Sequence, residues 1–308
     1  MTLSRFTIGS RGSPLALAQA RMVASALEQA HGWDPGSVDI KVVKTSGDRI
    51  QDRPLAEVGG KALWTKELDL ALLADETHCS VHSMKDVESE RPESLHIAAM
   101  LPRADVRDRL IGAESIAELP AGALVGTSSP RRAAQLKRLR PDLELVAIRG
   151  NVDTRLAKLK AAEVSATLLA AAGLDRLGRP EVGVAIDIAQ MLPAPAQGAI
   201  GIECRLDDPA TAALLGKIDH FETHQAVLAE RAFCRALGGT CHSPVAALAR
   251  IEGEEVALSC EILSEDGREH VAGRMSFAIG DLEQPASLAR EMLEVAPLAI
   301  RRLFEPNG

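Results

Sequence analysis

ALVGTSSPRRAAQLKRLRP, residues 123–141, contains one complete structural unit. Its apolar start reads as a β-strand. Ser129 then suits a helix N-cap, Pro130 the first helical position, and Pro141 the residue beyond the end. ELVAIRGNVDTRLAKLKA (144–161) and ATLLAAAGLDRLG (166–178) repeat the plan of strand, turn and helix. Upstream, RFTIGS (5–10) precedes Ser13, Pro14 and the helical run LALAQARMVASALEQA (15–30). VDIKVVKTSGD (38–48) is a second strand and turn. VGGKALWTKELDLALLADE (58–76) is a glycine-rich loop and helix, and THCSVHSMKD (77–86) a buried strand running into a polar loop. Such βαβ alternation predicts an α/β fold, with sheets covered by helices on both faces. Placing Ser13-Pro14 over Ser129-Pro130 also places Gln19 over Gln135, which suggests two lobes of similar build. From about residue 220 the pattern changes. A helix through HQAVLAERAFCRAL (224–237) is followed by PVAALARI, EVALSCEIL and REHVAGRMSFAI, which alternate like hairpin strands and predict a C-terminal α+β domain. The tail from about 285 to 304 reads as helix interrupted at Pro297.

Composition narrows the function. The 308 residues, 46% hydrophobic, suffice for about two or three domains. No apolar run approaches the length of a membrane helix and the first residues do not form a signal peptide, so the expected address is the cytoplasm. Five scattered cysteines without a C-x-x-C pair predict reduced thiols. A net charge of -8 and 2% aromatic residues argue against nucleic acid as a partner, and nothing in the chain demands more than a monomer.

The positions of the arginines carry more information than their number. Arg131 and Arg132 fall in the first turn of a predicted helix, where the helix dipole disfavours cations and something must offset them. With Thr127, Ser128 and Ser129 they could receive a carboxylate or phosphate, or they could belong to a solvated basic face with Lys137, Arg138 and Arg140. Arg11, Arg149, Arg155 and Arg176 lie on similar turns after strands. Ligand crevices of α/β sheets open at such strand ends, and the set points to a polyanionic ligand. No P-loop or dinucleotide fingerprint accompanies it, which favours carboxylates over nucleotides. HSMKD (82–86) sets Lys85 and Asp86 at another strand end, where a carboxylate beside a basic cleft could stabilise a cation or relay a proton.

Cys241, in ALGGTCHSPV (236–245), admits several readings from its surroundings. The c-type haem motif fails at Gly238, and Cys234, Cys241 and His242 fit no common zinc spacing, so no metal is expected. A small buried thiol after a glycine turn is the plain reading.

Taken together, VGGKALWTKEL, VHSMKDV, VGTSSPRR, IRGNVDTRL, AAAGLDRLG, PAPAQGAIGIECR and LGGTCHSPV resemble the porphobilinogen deaminase family in order and spacing over nearly the whole chain. The resemblance implies two lobes resembling type II periplasmic binding proteins plus a C-terminal α+β domain. The implied division is 1–100 with about 199–218, then 101–198, then 219–308, with GAIGIECR (198–205) returning to the first lobe and PAPAQGA (193–199) acting as crossover. It implies head-to-tail condensation of four porphobilinogen molecules to hydroxymethylbilane with release of ammonia. The primer is a dipyrromethane cofactor joined by a thioether to Cys241. Asp86 then becomes the catalytic carboxylate, which stabilises the azafulvenium formed as ammonia leaves and assists proton transfer. Cofactor contacts fall on Ser13, Lys85, Asp86, Thr127, Ser128, Ser129, Arg131, Arg132 and Asn151; substrate contacts fall on Arg11, Gln19, Arg149, Arg155 and Arg176; Lys61 belongs to a lid. Ala62, Trp64, Ala196 and Gly238 depart from the family's usual residues. The competing expectation is a non-catalytic solute-binding protein of the same two-lobe fold, although the cysteine-bearing third domain is then unexplained.

Overall fold

The computed structural model describes residues 6–45, 65–238 and 243–305. Lys61 and Cys241 lie outside the described residues, as do Ala62 and Trp64. In chain order the elements are β1 (Phe6–Ser10), α1 (Pro14–His31), β2 (Val38–Val42), α2 (Lys66–Leu73), β3 (Cys79–Ser83), β4 (Leu95–Met100), β5 (Asp108–Ile111), β6 (Leu124–Gly126), α3 (Pro130–Leu139), β7 (Glu144–Val146) and α4 (Val152–Lys160). There follow β8 (Ala166–Ala170), α5 (Ala171–Arg176), β9 (Val184–Ala185), β10 (Ile200–Arg205), α6 (Pro209–Gly216), α7 (Phe221–Leu237), β11 (Val245–Glu252), β12 (Glu255–Leu263), β13 (His270–Ala278), α8 (Glu283–Val295) and α9 (Leu298–Arg301).

These elements form two compact units, Met1–Ala104 with Gly198–His224, and Asp105–Gln197 with Gln225–Gly308. The first is built on a five-stranded sheet of order β2-β1-β3-β10-β4. β1 runs parallel to β2 and β3, whereas β10 is inserted antiparallel between β3 and β4. Phe6, Ile8, Val81 and Ile202 from the strands meet Val23 and Leu27 of α1 in one core. Each fully buried side chain of this size contributes about 1.5–3 kcal/mol relative to an exposed one.

The second unit holds two sheets. One is five-stranded, β7-β6-β8-β5-β9, with β6 parallel to β7 and β8 and with β5 antiparallel to β8. The other is the antiparallel sheet β11-β12-β13, whose core with α7, α8 and α9 includes Phe233, Leu258, Ile262 and Ile300. The two five-stranded sheets share a plan: three parallel strands in the order second, first, third, then an antiparallel strand from elsewhere in the chain, then a last edge strand. The echo between the Ser-Pro helices is also physical. Ser13 Oγ accepts from Ala16 N at 3.2 Å, and Ser129 Oγ from Arg132 N at 3.4 Å, each at the third helical residue.

Within the second unit, the turn between β12 and β13 abuts α3. A Cβ on Gly267 would stand 2.1 Å from the Ala134 carbonyl oxygen, so only glycine permits this approach. Glu261 of β12 also accepts from Gln135 Nε2 at 3.0 Å and pairs with Arg138. Before β10, Ala196 takes a left-handed φ of 59°, disfavoured for a residue with a Cβ. The fully buried carboxylate of Glu230 on α7 accepts from Ala196 N at 2.5 Å and from Ala249 N at 2.7 Å, which holds that conformation against the sheet.

Candidate active site

At the carboxyl ends of β1 and β3 a cleft opens in the first unit, with an empty volume of about 440 Å³. Arg11, Ser13 and Gln19 line one side, Thr65 belongs to the segment before α2, and His82, Ser83 and Asp86 come from β3 and the turn that follows. Three polar arms reach this cleft because of local structure. Arg11 directly follows β1. Ser13 caps α1. Gln19, 2% exposed, is held on the α1 face that packs on the sheet, and its Nε2 donates to Ser83 Oγ at 2.7 Å.

Asp86 ends a short 3-10 turn, Met84–Asp86, in which Val87 N donates to the Met84 carbonyl at 3.2 Å. Met84 anchors that turn. It is 1% exposed, its N–H donates to the Ala199 carbonyl, and a Cβ on Gly201 of β10 would fall 2.1 Å from its sulfur. The missing side chain at Gly201 therefore seats Met84, and through it sets the height of Asp86 at the cleft. Lys85 lies on the same turn, half-buried, and is not among the cleft-lining residues.

Behind the cleft wall is a buried polar cluster. Glu203 of β10 is 0% exposed; it accepts from Arg91 Nε at 2.8 Å and Arg91 Nη2 at 2.8 Å, and its Oε2 lies 3.1 Å from His82 Nε2. Arg91 also donates to Asp69 of α2 at 2.6 Å, to Glu88 at 3.1 Å and to Thr65 Oγ1 at 3.2 Å. Burial pushes the Glu203 carboxyl up, but His82 and Arg91 outweigh it and hold the group at about 2. Glu203 therefore stays ionised across the neutral range. Asp69 goes the other way, because burial and the nearby Glu203 charge raise it against the pull of Arg91.

In the second unit the other basic residues lie on the turns and helices that follow β6, β7 and β8, with Arg155 inside α4 and Arg176 at the end of α5. Thr127, Ser128 and Ser129 form the β6–α3 turn, in which Ser128 Oγ donates to the Ile148 carbonyl at 2.6 Å and Thr127 Oγ1 accepts from Ser129 N at 3.2 Å. Arg149 and Asn151 enter α4, and Asn151 Oδ1 caps that helix by accepting from Thr154 N at 2.9 Å. Arg155 Nε donates to the Gly150 carbonyl at 3.1 Å. Arg176 ends α5, where burial lowers its guanidinium to about 10 against the pull of Asp175.

Arg131 and Arg132 point inward. They are 3% and 5% exposed, and each gives a terminal nitrogen to Asp108, at 2.7 and 2.6 Å. Their other terminal nitrogens reach the Leu192 and Leu168 carbonyls, and Arg131 also reaches Gln135 Oε1 at 2.9 Å. Gln197 donates to the same Asp108 carboxylate at 2.9 Å. The offset that two cations at a positive helix end require is thus supplied from inside the chain. Asp108 lies in ADVRDRL (104–110), to which the sequence reading gives no role. The only available signal was the unfavourable arginine pair, which demands an anion without saying which.

The donor set of the first cleft can receive a carboxylate. Arg11, Ser13 and Gln19 offer donors, and Asp86 offers an acceptor for a pyrrole N–H or a cationic ring.

Comparison with known proteins gives the same chemistry. A profile described as "Porphobilinogen deaminase, dipyromethane cofactor binding domain" matches residues 6–213, and one described as "Porphobilinogen deaminase, C-terminal domain" matches 224–295. A protein of Sphingopyxis alaskensis named porphobilinogen deaminase is 57% identical over 303 residues, covering 96% of each chain. One of the same name from Paracoccus denitrificans is 49% identical over 294 residues, covering 94% of each. Among solved structures, a substrate-binding domain of a putative amino acid ABC transporter from Streptococcus pneumoniae aligns over 76% of this chain and 95% of its own, at 12% identity and a TM-score of 0.43.

Proposed function

The chain belongs to the porphobilinogen deaminase family, and from that premise we propose that it is a hydroxymethylbilane synthase. It is a transferase that joins four porphobilinogen molecules head to tail, releasing ammonia at each addition, in tetrapyrrole biosynthesis. The observation that carries this reading is full-length identity of 49–57% to relatives of that name, with Asp86 seated in a cleft beside Arg11, Ser13 and Gln19.

In this account the substrate's acetate and propionate are held by Arg11, Arg149, Arg155 and Arg176. Gln19 joins them on the substrate, while Ser13, Lys85, Thr127, Ser128, Ser129, Arg131, Arg132 and Asn151 serve the cofactor's carboxylates. Bound as a thioether to Cys241, the dipyrromethane supplies the α-carbon to which the first substrate is joined. Asp86 faces the ring nitrogen as ammonia departs, and a carboxylate there favours the cation. Preorganised charge of this kind is among the larger contributions to catalysis.

Arg131 and Arg132 share the one carboxylate of Asp108 at the start of α3, and a helix N-terminus suits an anion. The chain works as a monomer of three domains, divided near residues 100, 198 and 219, in the cytoplasm. No helix among the described residues is long and apolar enough to cross a membrane.

The test is turnover by the purified protein. The expected result is consumption of porphobilinogen with about one ammonia released per substrate, and hydroxymethylbilane as product. Binding of porphobilinogen without release of ammonia would instead support the solute-binding alternative.

A further inference from the structure

In the proposed function Asp86 acts through its charge, beside a developing cation. Each condensation also requires a second group. When a new carbon–carbon bond forms at a pyrrole α-carbon, the hydrogen on that carbon leaves as a proton and must be taken up. A carboxylate that accepted it would lose the charge on which its first task depends. The cleft wall holds a side chain with a different environment, His82, which the proposed function does not use.

The buried Glu203 carboxylate lies 3.1 Å from His82 Nε2. An ionised carboxylate can only accept, so in neutral His82 the ring hydrogen sits on Nε2 and the lone pair on Nδ1. Glu203 is itself locked by two bonds from Arg91, at 2.8 Å each, and cannot turn away. This arrangement has the logic of a histidine oriented by a buried carboxylate: the anion fixes the tautomer and then stabilises the imidazolium that forms. Among the described residues, the charged groups around the ring are Glu203 on β10, Asp69 on α2, Arg91 and Glu88 in the loop before β4, and Asp86 and Arg11 on the cleft. Among the described residues, the carboxylates of Asp69, Glu88 and Glu203 all bond the guanidinium of Arg91, and Glu203 is the one that also bonds the ring.

We propose that His82, oriented by Glu203, is the base that takes the proton from the pyrrole α-carbon during chain growth. The step balances. The α-carbon's electron pair closes the new bond to the methylene carbon from which ammonia has left. The aromatic ring is restored as the C–H electrons return to it, and the proton passes to Nδ1. From the imidazolium it then goes to water or to the ammonia released in the same cycle. The inference rests on the proposed function, and it divides the work between Asp86 as fixed charge and His82 as proton acceptor.

Two measurements test it. The first needs no turnover: nitrogen NMR of histidine-labelled wild-type protein is expected to show His82 as the Nε2–H tautomer at neutral pH. An Nδ1–H tautomer would overturn the proposal. The second compares wild type with His82→Gln, whose amide can keep the bond to Glu203, using porphobilinogen with hydrogen or deuterium at the free α-carbon. Turnover is expected to fall by about 10² or more, the deuterium effect on it to grow because proton removal has become limiting, and added imidazole to restore part of the rate. A rate near wild type, or a slow variant with an unchanged deuterium effect and no response to imidazole, would overturn it. If His82→Gln does not fold, the same comparison with Glu203→Gln is decisive, a larger deuterium effect supporting the role and an unchanged one overturning it. Wild-type protein that leaves porphobilinogen unconsumed would instead remove the proposed function on which the inference rests.

Discussion

Asp86→Asn is expected to lower turnover of porphobilinogen by about 10²–10⁴-fold while leaving thermal stability near that of the wild type. The size follows from the kind of change. Asparagine keeps the shape and one acceptor oxygen but removes the full negative charge, and charge is what the cation needs as ammonia leaves. The fold should be indifferent, because Asp86 is half-buried at the end of a short turn anchored by Met84 and the Ala199 carbonyl. Steady-state kinetics beside a melting curve separate the two effects. Near-normal turnover would remove the catalytic assignment, and a large drop in melting temperature would make it a structural residue.

The second large effect concerns a residue that touches no ligand in this account. Asp108→Asn is expected to cost about 3–5 kcal/mol, because Arg131 and Arg132 would be left buried with most of their counter-charge gone. For a unit of this size that corresponds to a melting temperature lower by roughly 6–20 °C. The same pair makes stability depend on acid. Burial pushes the Asp108 carboxyl up, but Arg131 and Arg132 together outweigh it and hold it well below the usual carboxylate range. A carboxyl depressed in the folded state contributes its stabilisation above its unfolded value, about 4, and loses it as pH falls toward the folded value. Wild-type stability should therefore decline steadily below about pH 4, with Glu203, held at about 2, adding to the loss. Melting curves from neutral to acid pH check both statements. An Asp108→Asn protein that melts within a degree or two of wild type would contradict the first.

Much of the fold was legible because its signals are local. Ser129, Pro130 and Pro141 delimit α3, and Ser13 and Pro14 open α1 in the same way. Even the likeness of the two lobes showed in three matched positions, and the two sheet orders share the same plan. β10 was different. Its composition marks it as a strand, but nothing within GIECR says that it lies antiparallel between β3 and β4, about a hundred residues upstream.

The site divides along the same line. Residues at strand ends were found because a turn after a strand is a local pattern, and Arg11, Ser13, Gln19 and Asp86 do meet at one cleft. Their partners were not found. Asp108 joins Arg131 across 23 positions and Glu203 joins His82 across 121. Local rules show where an ion needs a partner, and only the tertiary structure shows which one it has.

The claim at the centre of this account is that the protein carries its own primer on Cys241. Intact mass spectrometry of freshly purified protein, from cells able to make porphobilinogen, tests it most directly when Cys241→Ser is measured alongside. The wild type is predicted to exceed its sequence mass by two linked pyrrole units, and the serine variant to match its own. A wild-type mass equal to the bare sequence, or the same excess in the serine variant, would contradict it.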